Sequence, residues 1–290
     1  MRKTIYILFA FTLLFPFAHR LSAQEFWQPT AGPYGGDILA MVVDADNRIF
    51  AATDGAGIFR STDNGASWSA VNLGLGERTV FSLAVDASGT VFAGTTAHGV
   101  FRSTDHGDTW IARNRGLTDM EIRAIATTSG YIFVGTWTAG VFRSTDNGLS
   151  WTQVGFSESG EHVQTIAPGS AGTVLVGTDI SGVFRSPDNG DNWYPSILGL
   201  TDLGVTSIAM ITPSIVCAAT YSGGVFTSAD SGKSWKASGA IGYGDVRSLA
   251  VNSSGQIYAG TPGQGVYRST DNGKSWQTFG TLGLDNMDVR

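Results

Sequence analysis

Short segments in which apolar and polar residues alternate follow one another along nearly the whole chain, and glycine-rich turns separate them. One representative stretch has a turn signal at Asp86 to Gly89. No glycine-free stretch shows helical periodicity of useful length, so the pattern predicts an almost purely antiparallel β-protein with four strands in each period. In the representative stretch the four segments are residues 80–85, 90–95, 99–103 and 110–113.

One eight-residue pattern, Ser-x-Asp-x-Gly-x-x-Trp, recurs through the chain and sets its period. The tryptophans of successive copies are 42, 41, 42, 42 and 41 residues apart. A period near forty residues with four short strands is typical of the blades of a β-propeller. The composition agrees, because 39 glycines and a charged fraction of 14% suit a turn-rich β-fold. The six copies span Ser61–Trp68, Ser103–Trp110, Ser144–Trp151, Ser186–Trp193, Ser228–Trp235 and Ser269–Trp276.

The pattern resembles the Asp-box, or bacterial neuraminidase repeat (BNR), of sialidases, sortilin-type receptors, xyloglucan-cleaving hydrolases and photosystem II assembly-factor-like propellers. The resemblance extends over residues 25–290 and implies the propeller fold, but it implies no single activity because those relatives include enzymes, receptors and assembly factors. In each box we expect the Asp and Ser side chains to bond turn backbone, with Gly allowing a positive φ and Trp covering the turn. This structural role is predicted for Asp63, Asp105, Asp146, Asp188, Asp230, Asp271, Trp68, Trp110, Trp151, Trp193, Trp235 and Trp276.

An arginine recurs directly before the first residue of the box in five of the six copies, and Thr227 replaces it in the fifth copy. The same repetition argument assigns these arginines a structural role, as links between neighbouring blades. They are Arg60, Arg102, Arg143, Arg185 and Arg268.

The number of blades is open between two alternatives. Residues 26–29 match a fourth strand, with Trp27 lying 41 residues before Trp68, so the chain opens with an isolated fourth strand and closes with an isolated first strand. We predict a seven-bladed propeller that is truncated at the C-terminus, and the alternative is a six-bladed ring with two overhanging strands. Seven first strands, against six boxes, begin at Ile38, Val80, Ile122, Val163, Val205, Val246 and Val289.

Residues 1–23 have the character of a secretory signal, with a basic start, an apolar stretch from Ile5 to Phe17 and small residues for cleavage after Ala23. The apolar stretch is short for a bilayer span, although a retained anchor is the alternative. We therefore expect residues 24–290 to form one propeller domain that is secreted or periplasmic, without a membrane span after cleavage, and monomeric.

Charge and cysteine content exclude several classes of function. The formal net charge is −6 over the whole chain and becomes −9 when residues 1–23 are removed. Because no basic run is present, nucleic-acid binding is not expected. The single cysteine, Cys217, lies in an apolar run and is expected in the core, so a disulfide framework is excluded.

The candidate binding residues lie on the face opposite the boxes, where residue type changes from blade to blade. Acids and aromatics dominate this face, and we expect it to bind a glycan or a protein partner without catalysis, against the plainer interpretation of a solvated acidic rim. The alternative is a glycoside hydrolase that uses Glu121 and Asp245, which lie three repeats apart and face each other across a closed ring. The candidate ligand-binding residues are Trp137, Tyr221, Tyr243, Asp179, Glu121 and Asp245.

Both enzyme families implied by the resemblance match poorly. Sialidases carry an Arg-Ile-Pro or Arg-Leu-Pro motif, whereas Arg48-Ile49 is followed here by Phe50. Xyloglucan hydrolases use two aspartates across a cleft between two propellers, whereas this chain is expected to form only one propeller. The histidines lack metal-ligand spacing and no phosphate loop precedes a helix, so no metal site and no cofactor are expected.

Overall fold

The computed structural model describes residues 32–33, 36–156, 161–280 and 289. Within these ranges the chain forms strands and turns without a helix, and hence contains no helix that meets the length and hydropathy needed to cross a bilayer. The strands in chain order are β1 Ile38–Val43, β2 Ile49–Thr53, β3 Ile58–Ser61, β4 Ser69–Ala70, β5 Val80–Val85, β6 Val91–Thr95, β7 Val100–Ser103, β8 Ile111–Ala112, β9 Ile122–Thr127, β10 Ile132–Thr136, β11 Val141–Ser144, β12 Thr152–Gly155, β13 Val163–Pro168, β14 Val174–Thr178, β15 Val183–Ser186, β16 Tyr194–Pro195, β17 Val205–Met210, β18 Val216–Thr220, β19 Val225–Ser228, β20 Lys236–Ala237, β21 Ser248–Val251, β22 Ile257–Thr261, β23 Gly265–Ser269 and β24 Gln277–Thr278.

The strands form six antiparallel sheets, and each sheet consists of four consecutive strands in sequence order. The first strands of neighbouring sheets, β1, β5, β9, β13, β17 and β21, pack against one another in succession. They therefore surround a common axis, and the short fourth strands lie outermost. This arrangement confirms the predicted all-β propeller with six complete blades.

The second strand of each blade is buried on both sides, which explains its continuous apolar sequence. In β6 all five residues are buried. A Cβ added at Gly94 would lie 2.6 Å from Cγ2 of Ile122, the first residue of the next blade, and Gly177 has the same relation to Val205 at 2.5 Å. At these junctions the apolar residue that opens the first strand thus packs closely on the preceding blade, and glycine makes room for it, whereas blades 1 and 5 have Ala52 and Ala219 at this position.

Val289 lies against blade 6 in the way that earlier first-strand residues lie against their preceding blades. A Cβ at Gly260 would be 2.8 Å from Val289 Cγ1. The Val289 amide donates to the Thr261 carbonyl at 3.1 Å, as the Val246 amide donates to the Thr220 carbonyl of blade 5 at 3.2 Å. The predicted seventh start at Val289 is therefore supported by its packing. Residues 1–23 and the predicted strand at 26–29 lie outside the described residues, and C-terminal truncation stays a prediction.

Blade 1 differs from the blades that follow it. Ile38 and Met41 in β1 are 39% and 52% exposed, whereas the corresponding Val80 and Leu83 in β5 are 0% and 6% exposed. Among the described residues, no packing like that between other neighbouring first strands joins β21 to β1. The side of blade 1 that faces away from blade 2 is consequently open to solvent in the described part of the molecule.

Candidate functional site

The loops of the propeller lie on two faces that differ in composition. On one face the boxes contact the turns between first and second strands. For example, the Asn189 amide of the fourth box donates to the Gly172 carbonyl at 2.7 Å. We call this the box face. On the other face the loops between second and third strands contact the starts of the first strands. For example, the Trp137 amide donates to the Glu121 carbonyl at 3.0 Å. We call this the mouth face.

Each box is a closed set of hydrogen bonds within its own turn. In the second box the Ser103 hydroxyl donates to Asp105 at 2.7 Å and accepts the Gly107 amide at 2.8 Å. The Thr109 amide and hydroxyl both donate to Asp105, at 2.9 and 2.5 Å. His106 and Gly107 both have positive φ, 59° and 92°, so the turn needs two left-handed residues. The same bonds recur in the other five boxes.

These bonds lower the pKa of the box carboxyl groups. Donation from the Ser67 hydroxyl and amide lowers the pKa of Asp63 to about 2. At Asp105 burial raises the pKa, but the hydrogen bonds from Thr109 and Ser103 outweigh it and the pKa falls to about 2. The boxes are therefore ionised at neutral pH, and their carboxylates are occupied by the turn. The pKa falls to about 2 also in Asp146, Asp230 and Asp271, and it is lowered in Asp188.

The box tryptophan links neighbouring blades. The sequence predicted only that it covers its own turn, so this link was not expected. Only Trp68, in the first blade, bonds its own box, donating to the Gly65 carbonyl at 3.1 Å. The other five donate Nε1–H to the end of the fourth strand of the preceding blade, so each blade is fixed to the one before it. The pairs are Trp110 with Val71 O, Trp151 with Arg113 O, Trp193 with Val154 O, Trp235 with Ser196 O and Trp276 with Ser238 Oγ.

Three of the five recurring arginines form the predicted links between blades. Arg60 donates to the His106 carbonyl and to Asp108, both at 2.7 Å. Two blades later, Arg143 makes the equivalent contacts with the Asn189 carbonyl at 2.6 Å and Asp191 at 2.7 Å. Arg185 donates to the Ser231 carbonyl at 3.0 Å. Arg102 has a buried Nε without a hydrogen-bond partner, and Arg268 lies 4.5 Å from the Phe279 ring, so the prediction is not confirmed for these two.

On the mouth face, side chains from blades 2, 3 and 4 form a continuous stack, which we call the mouth stack. The Arg123 guanidinium carbon lies 4.0 Å from the Phe81 ring centroid and 4.4 Å from that of Trp137. Trp137 stacks on His162 with centroids 3.9 Å apart and planes 10° apart. The His162 Nδ1 lies 2.7 Å from an Asp179 oxygen. His162 thus connects two predicted residues, Trp137 and Asp179. The Trp137 ring is in contact with side chains of this chain, Arg123 and His162.

The two predicted carboxylates, Glu121 and Asp245, belong to separate ion pairs. Arg123 donates to Glu121 through Nε at 2.8 Å and also through Nη2. Arg247 bonds both oxygens of Asp245, at 2.7 and 2.8 Å, and lies 4.9 Å from the Tyr221 ring centroid. The same arrangement of arginine, carboxylate and aromatic ring therefore occurs at two places on the mouth face, three blades apart.

The last candidate residue, Tyr243, and two further polar contacts lie elsewhere on the same face. Tyr243 lies between blades 5 and 6 and is 93% exposed. His98 pairs with Glu77, Nδ1 to Oε2 at 3.0 Å, and Asp54 accepts the Thr79 hydroxyl at 3.0 Å. In the core, Cys217 is fully buried as predicted, and burial raises the pKa of its thiol to about 12.

One group of metal-ligand type lies on the box face, where the sequence predicted no metal site. Ligand atoms of Asp44, Asp46 and His106 all lie within 4.8 Å of one another. The Arg48 side chain bonds all three, at 2.6 Å in each case. Because a guanidinium already occupies the space between these ligands, the group is an arginine-centred link between blades 1 and 2.

Sequence reasoning missed the residues at a β-bulge that recurs near the start of the first strand. The register shifts by one residue after Ile38, Val80, Ile122, Val163 and Val205. Bulges re-aim side chains and are common next to functional sites. Reading the position that follows each first-strand start would have found these residues. They are Leu39, Phe81, Arg123, Gln164 and Thr206, with Arg247 at the equivalent position of blade 6.

Comparison with known structures supports this description of the fold. The chain is similar to an ancestral GH74 enzyme with a TM-score of 0.70 and 24% identity, covering 87% of this chain and 40% of that one. It is similar to YCF48 from Cyanidioschyzon merolae with a TM-score of 0.66 and 14% identity, covering 87% and 88% of the two chains. A YCF48 structure bound to D1 peptide matches with a TM-score of 0.60 and 17% identity, covering 77% and 74%. At these identities the likeness shows the fold alone, and the chain spans less than half the length of the GH74 enzyme.

Sequence comparison gives a shorter match. No curated protein matches the chain. The model of the BNR/Asp-box repeat matches residues 267–278, which contain part of β23, the sixth box and β24. Since the other five boxes repeat its residues, spacing and hydrogen bonds, the chain is a β-propeller built from BNR/Asp-box repeats.

Proposed function

We propose that this chain is a noncatalytic recognition propeller whose mouth face binds a peptide segment of a protein partner. The observation that carries the proposal is the preassembled arginine–carboxylate–aromatic arrangement of the mouth face, which occurs in two sectors. Arg123 lies between two aromatic rings in one sector, and Arg247 lies beside Tyr221 in another. Rigid aromatic and arginine side chains that neighbouring contacts hold in place are typical centres of protein interfaces.

The noncatalytic part of the proposal rests on the partners of Glu121 and Asp245. A glycoside hydrolase needs one carboxylic acid that protonates a leaving group and a second carboxylate that acts on the sugar or on water. Both Asp245 oxygens are bonded to Arg247, and one Glu121 oxygen accepts two bonds from Arg123. The arginine fork therefore takes up both oxygens of Asp245 and one of the two oxygens of Glu121, so the two carboxyl groups are not free as a pair.

A peptide fits this surface better than a glycan because one of the predicted aromatic residues, Trp137, is already covered. Stacking on a sugar needs an open ring face, whereas Trp137 contacts both Arg123 and His162. Paired charges that lie over aromatic rings suit the amide groups and mixed side chains of a peptide. The peptide-bound YCF48 structure adds that a propeller of this fold can bind a peptide.

The test is a peptide array and a glycan array probed in parallel with the purified chain. We expect binding to peptides, lost in Tyr221→Ala and kept in the matched control Tyr194→Ala. Tyr194 is 57% exposed in β16, away from the mouth face. Equal loss in both variants would overturn the assignment of the site to the mouth face. Turnover of a glycan that Glu121→Gln or Asp245→Asn abolishes would establish the hydrolase alternative instead.

A specific observation also favours glycan binding as a second candidate. Tyr243 is 93% exposed and makes no ring contact with another described aromatic residue, so its ring is open for stacking. If glycans bind and peptides do not, with binding lost in Tyr243→Ala and kept in Tyr194→Ala, the mouth face is a carbohydrate site. The Tyr221→Ala and Tyr243→Ala variants therefore separate the two ligands.

A further inference from the structure

A groove of about 620 Å³ lies between blades 5 and 6 on the outer side of their boxes. Its volume is in the range of small-molecule sites. It lies away from the mouth face, so its role is independent of the function proposed above. The residues that decide its chemistry are Ile215, Thr227, Trp235, Lys236, Asn272 and Lys274.

The groove exists where one blade departs from the repeat. At the junctions of blades 1 with 2, 3 with 4 and 4 with 5, an arginine from the third strand reaches the fourth residue of the next box. Thr227 holds that position in blade 5 and makes only a 3.5 Å contact with the Lys236 carbonyl. The shorter side chain leaves open the space beside Asn272, the residue that such an arginine would reach.

A second departure makes the groove basic. The sixth position of the box is an aspartate that pairs with the arginine in two junctions, Asp108 with Arg60 and Asp191 with Arg143. In the sixth box this position is Lys274. The arginine–aspartate pair of those two junctions is therefore replaced here by Thr227 and a lysine.

The lysines of the chain are concentrated here. The sequence contains four, Lys3, Lys233, Lys236 and Lys274, and the last three lie in or next to the fifth and sixth boxes. Lys236 and Lys274 are exposed, line the groove, and form no ion pair with any carboxylate among the described residues. The adjacent carboxylate of Asp230 is turned into its own box, where it accepts hydrogen bonds from the Ser228 and Ser234 hydroxyls.

We infer that this groove binds a small organic anion that carries a phosphate or sulfate monoester. Two ammonium groups without a carboxylate partner attract such an oxyanion as point charges. The Thr227 hydroxyl and the Asn272 amide add donors, while Trp235 and Ile215 supply an apolar wall for the organic part. In a chain of net charge −6 such a locally basic groove is selective for anions.

The test is calorimetric titration of the full chain with glucose 6-phosphate and glucose 6-sulfate, with glucose as the neutral control. The variant Thr227→Arg/Lys274→Asp introduces the arginine–aspartate pair found at the junctions of blades 1 with 2 and 3 with 4, and it fills the groove. Lys233→Gln changes the net charge by the same −1 but lies outside the groove lining. We expect at least one ester to bind, the double variant to weaken that binding by at least about tenfold, and Lys233→Gln to change it by less than about twofold.

Two further measurements keep the test decisive. Unfolding curves identify a misfolded double variant, and Lys236→Gln, an exposed single change, then serves in its place with the same expected direction. Stronger binding of one ester decides between phosphate and sulfate. Absence of binding by either ester at millimolar concentration, equal binding of glucose, or equal loss in Lys233→Gln would overturn the inference.

Discussion

The box face and the mouth face use carboxylates in opposite ways. On the box face Asp105 and its equivalents accept bonds from their own turn, in the same geometry six times. On the mouth face Glu121 and Asp245 pair with an arginine and Asp179 pairs with a histidine, so that neither kind of pair recurs in all six blades. The comparison teaches that repeated chemistry holds the blades together, and that unrepeated chemistry on the same scaffold is available for recognition.

The largest expected effect is acid unfolding through the boxes. The carboxyl pKa is about 2 in five of the six boxes of the folded chain, against an ordinary 3.8, and it is lowered in the sixth, at Asp188. A pKa lowered by folding stabilises the fold fully above the ordinary value, and this stability is lost as the pH falls from about 4 toward 2. The urea midpoint, followed by tryptophan fluorescence, should drop steeply in that window. A midpoint that is flat from pH 5 to pH 2 would contradict the structural role of the boxes.

Next in size is the loss of a box tryptophan. Trp110 is 3% exposed and links blade 2 to blade 1 through Val71. Trp110→Ala should lower the free energy of unfolding by about 3–5 kcal/mol, because it leaves a cavity and an unpaired carbonyl. Trp68→Ala is the matched control, since Trp68 is only half-buried and bonds its own box. Urea denaturation should show a smaller loss for the control, and equal losses would mean that the link between blades contributes nothing.

An arginine link has a smaller expected effect. Arg143→Thr copies the natural state of blade 5 and removes the bonds to the Asn189 carbonyl and Asp191. We expect a loss of about 1–2 kcal/mol in the free energy of unfolding, because the aspartate is exposed and one acceptor is a neutral carbonyl. Arg78→Thr, a change of an exposed arginine on the mouth face, should change it by less than about 0.5 kcal/mol. A loss for Arg78→Thr as large as that for Arg143→Thr would contradict the contrast between the faces.

The smallest effect on stability is expected on the mouth face. Arg247 is exposed and pairs with the equally accessible Asp245. Arg247→Gln should therefore change the free energy of unfolding by less than about 0.5 kcal/mol. Thermal and urea unfolding of the variant measure this directly. A loss above about 2 kcal/mol would show that the pair is part of the framework of the fold.

The fold was predictable because its signals are local and repeated. A box closes within eight residues, so the spacing of Ser103, Asp105, Gly107 and Trp110 already specifies the turn. The first-strand starts were found by alignment, and the packing of Val289 on Gly260 agrees with that alignment. The tryptophan links were missed because the acceptor, such as Val71 for Trp110, lies 39 residues earlier and carries no side-chain signal.

The candidate site was only partly predictable. Trp137 and Asp179 were expected on the mouth face, but their connection through His162 depends on how blades 3 and 4 meet. The bulge that places Arg123 beside Phe81 shifts the register by one residue, and alternation alone does not reveal such a shift. The arginine two residues after Glu121 and after Asp245 was readable in the sequence and would have identified these two ion pairs.

The central claim, that the mouth face recognises and the box face holds the fold, is tested most directly by measuring binding and stability on the same two variants. Arg247→Gln should weaken binding of a peptide selected on the array by at least about tenfold and leave the free energy of unfolding unchanged within about 0.5 kcal/mol. Arg143→Thr should do the reverse, with unchanged peptide affinity and a loss of about 1–2 kcal/mol in stability. Equal effects of the two variants on both quantities, or loss of peptide binding with Arg143→Thr alone, would contradict the account.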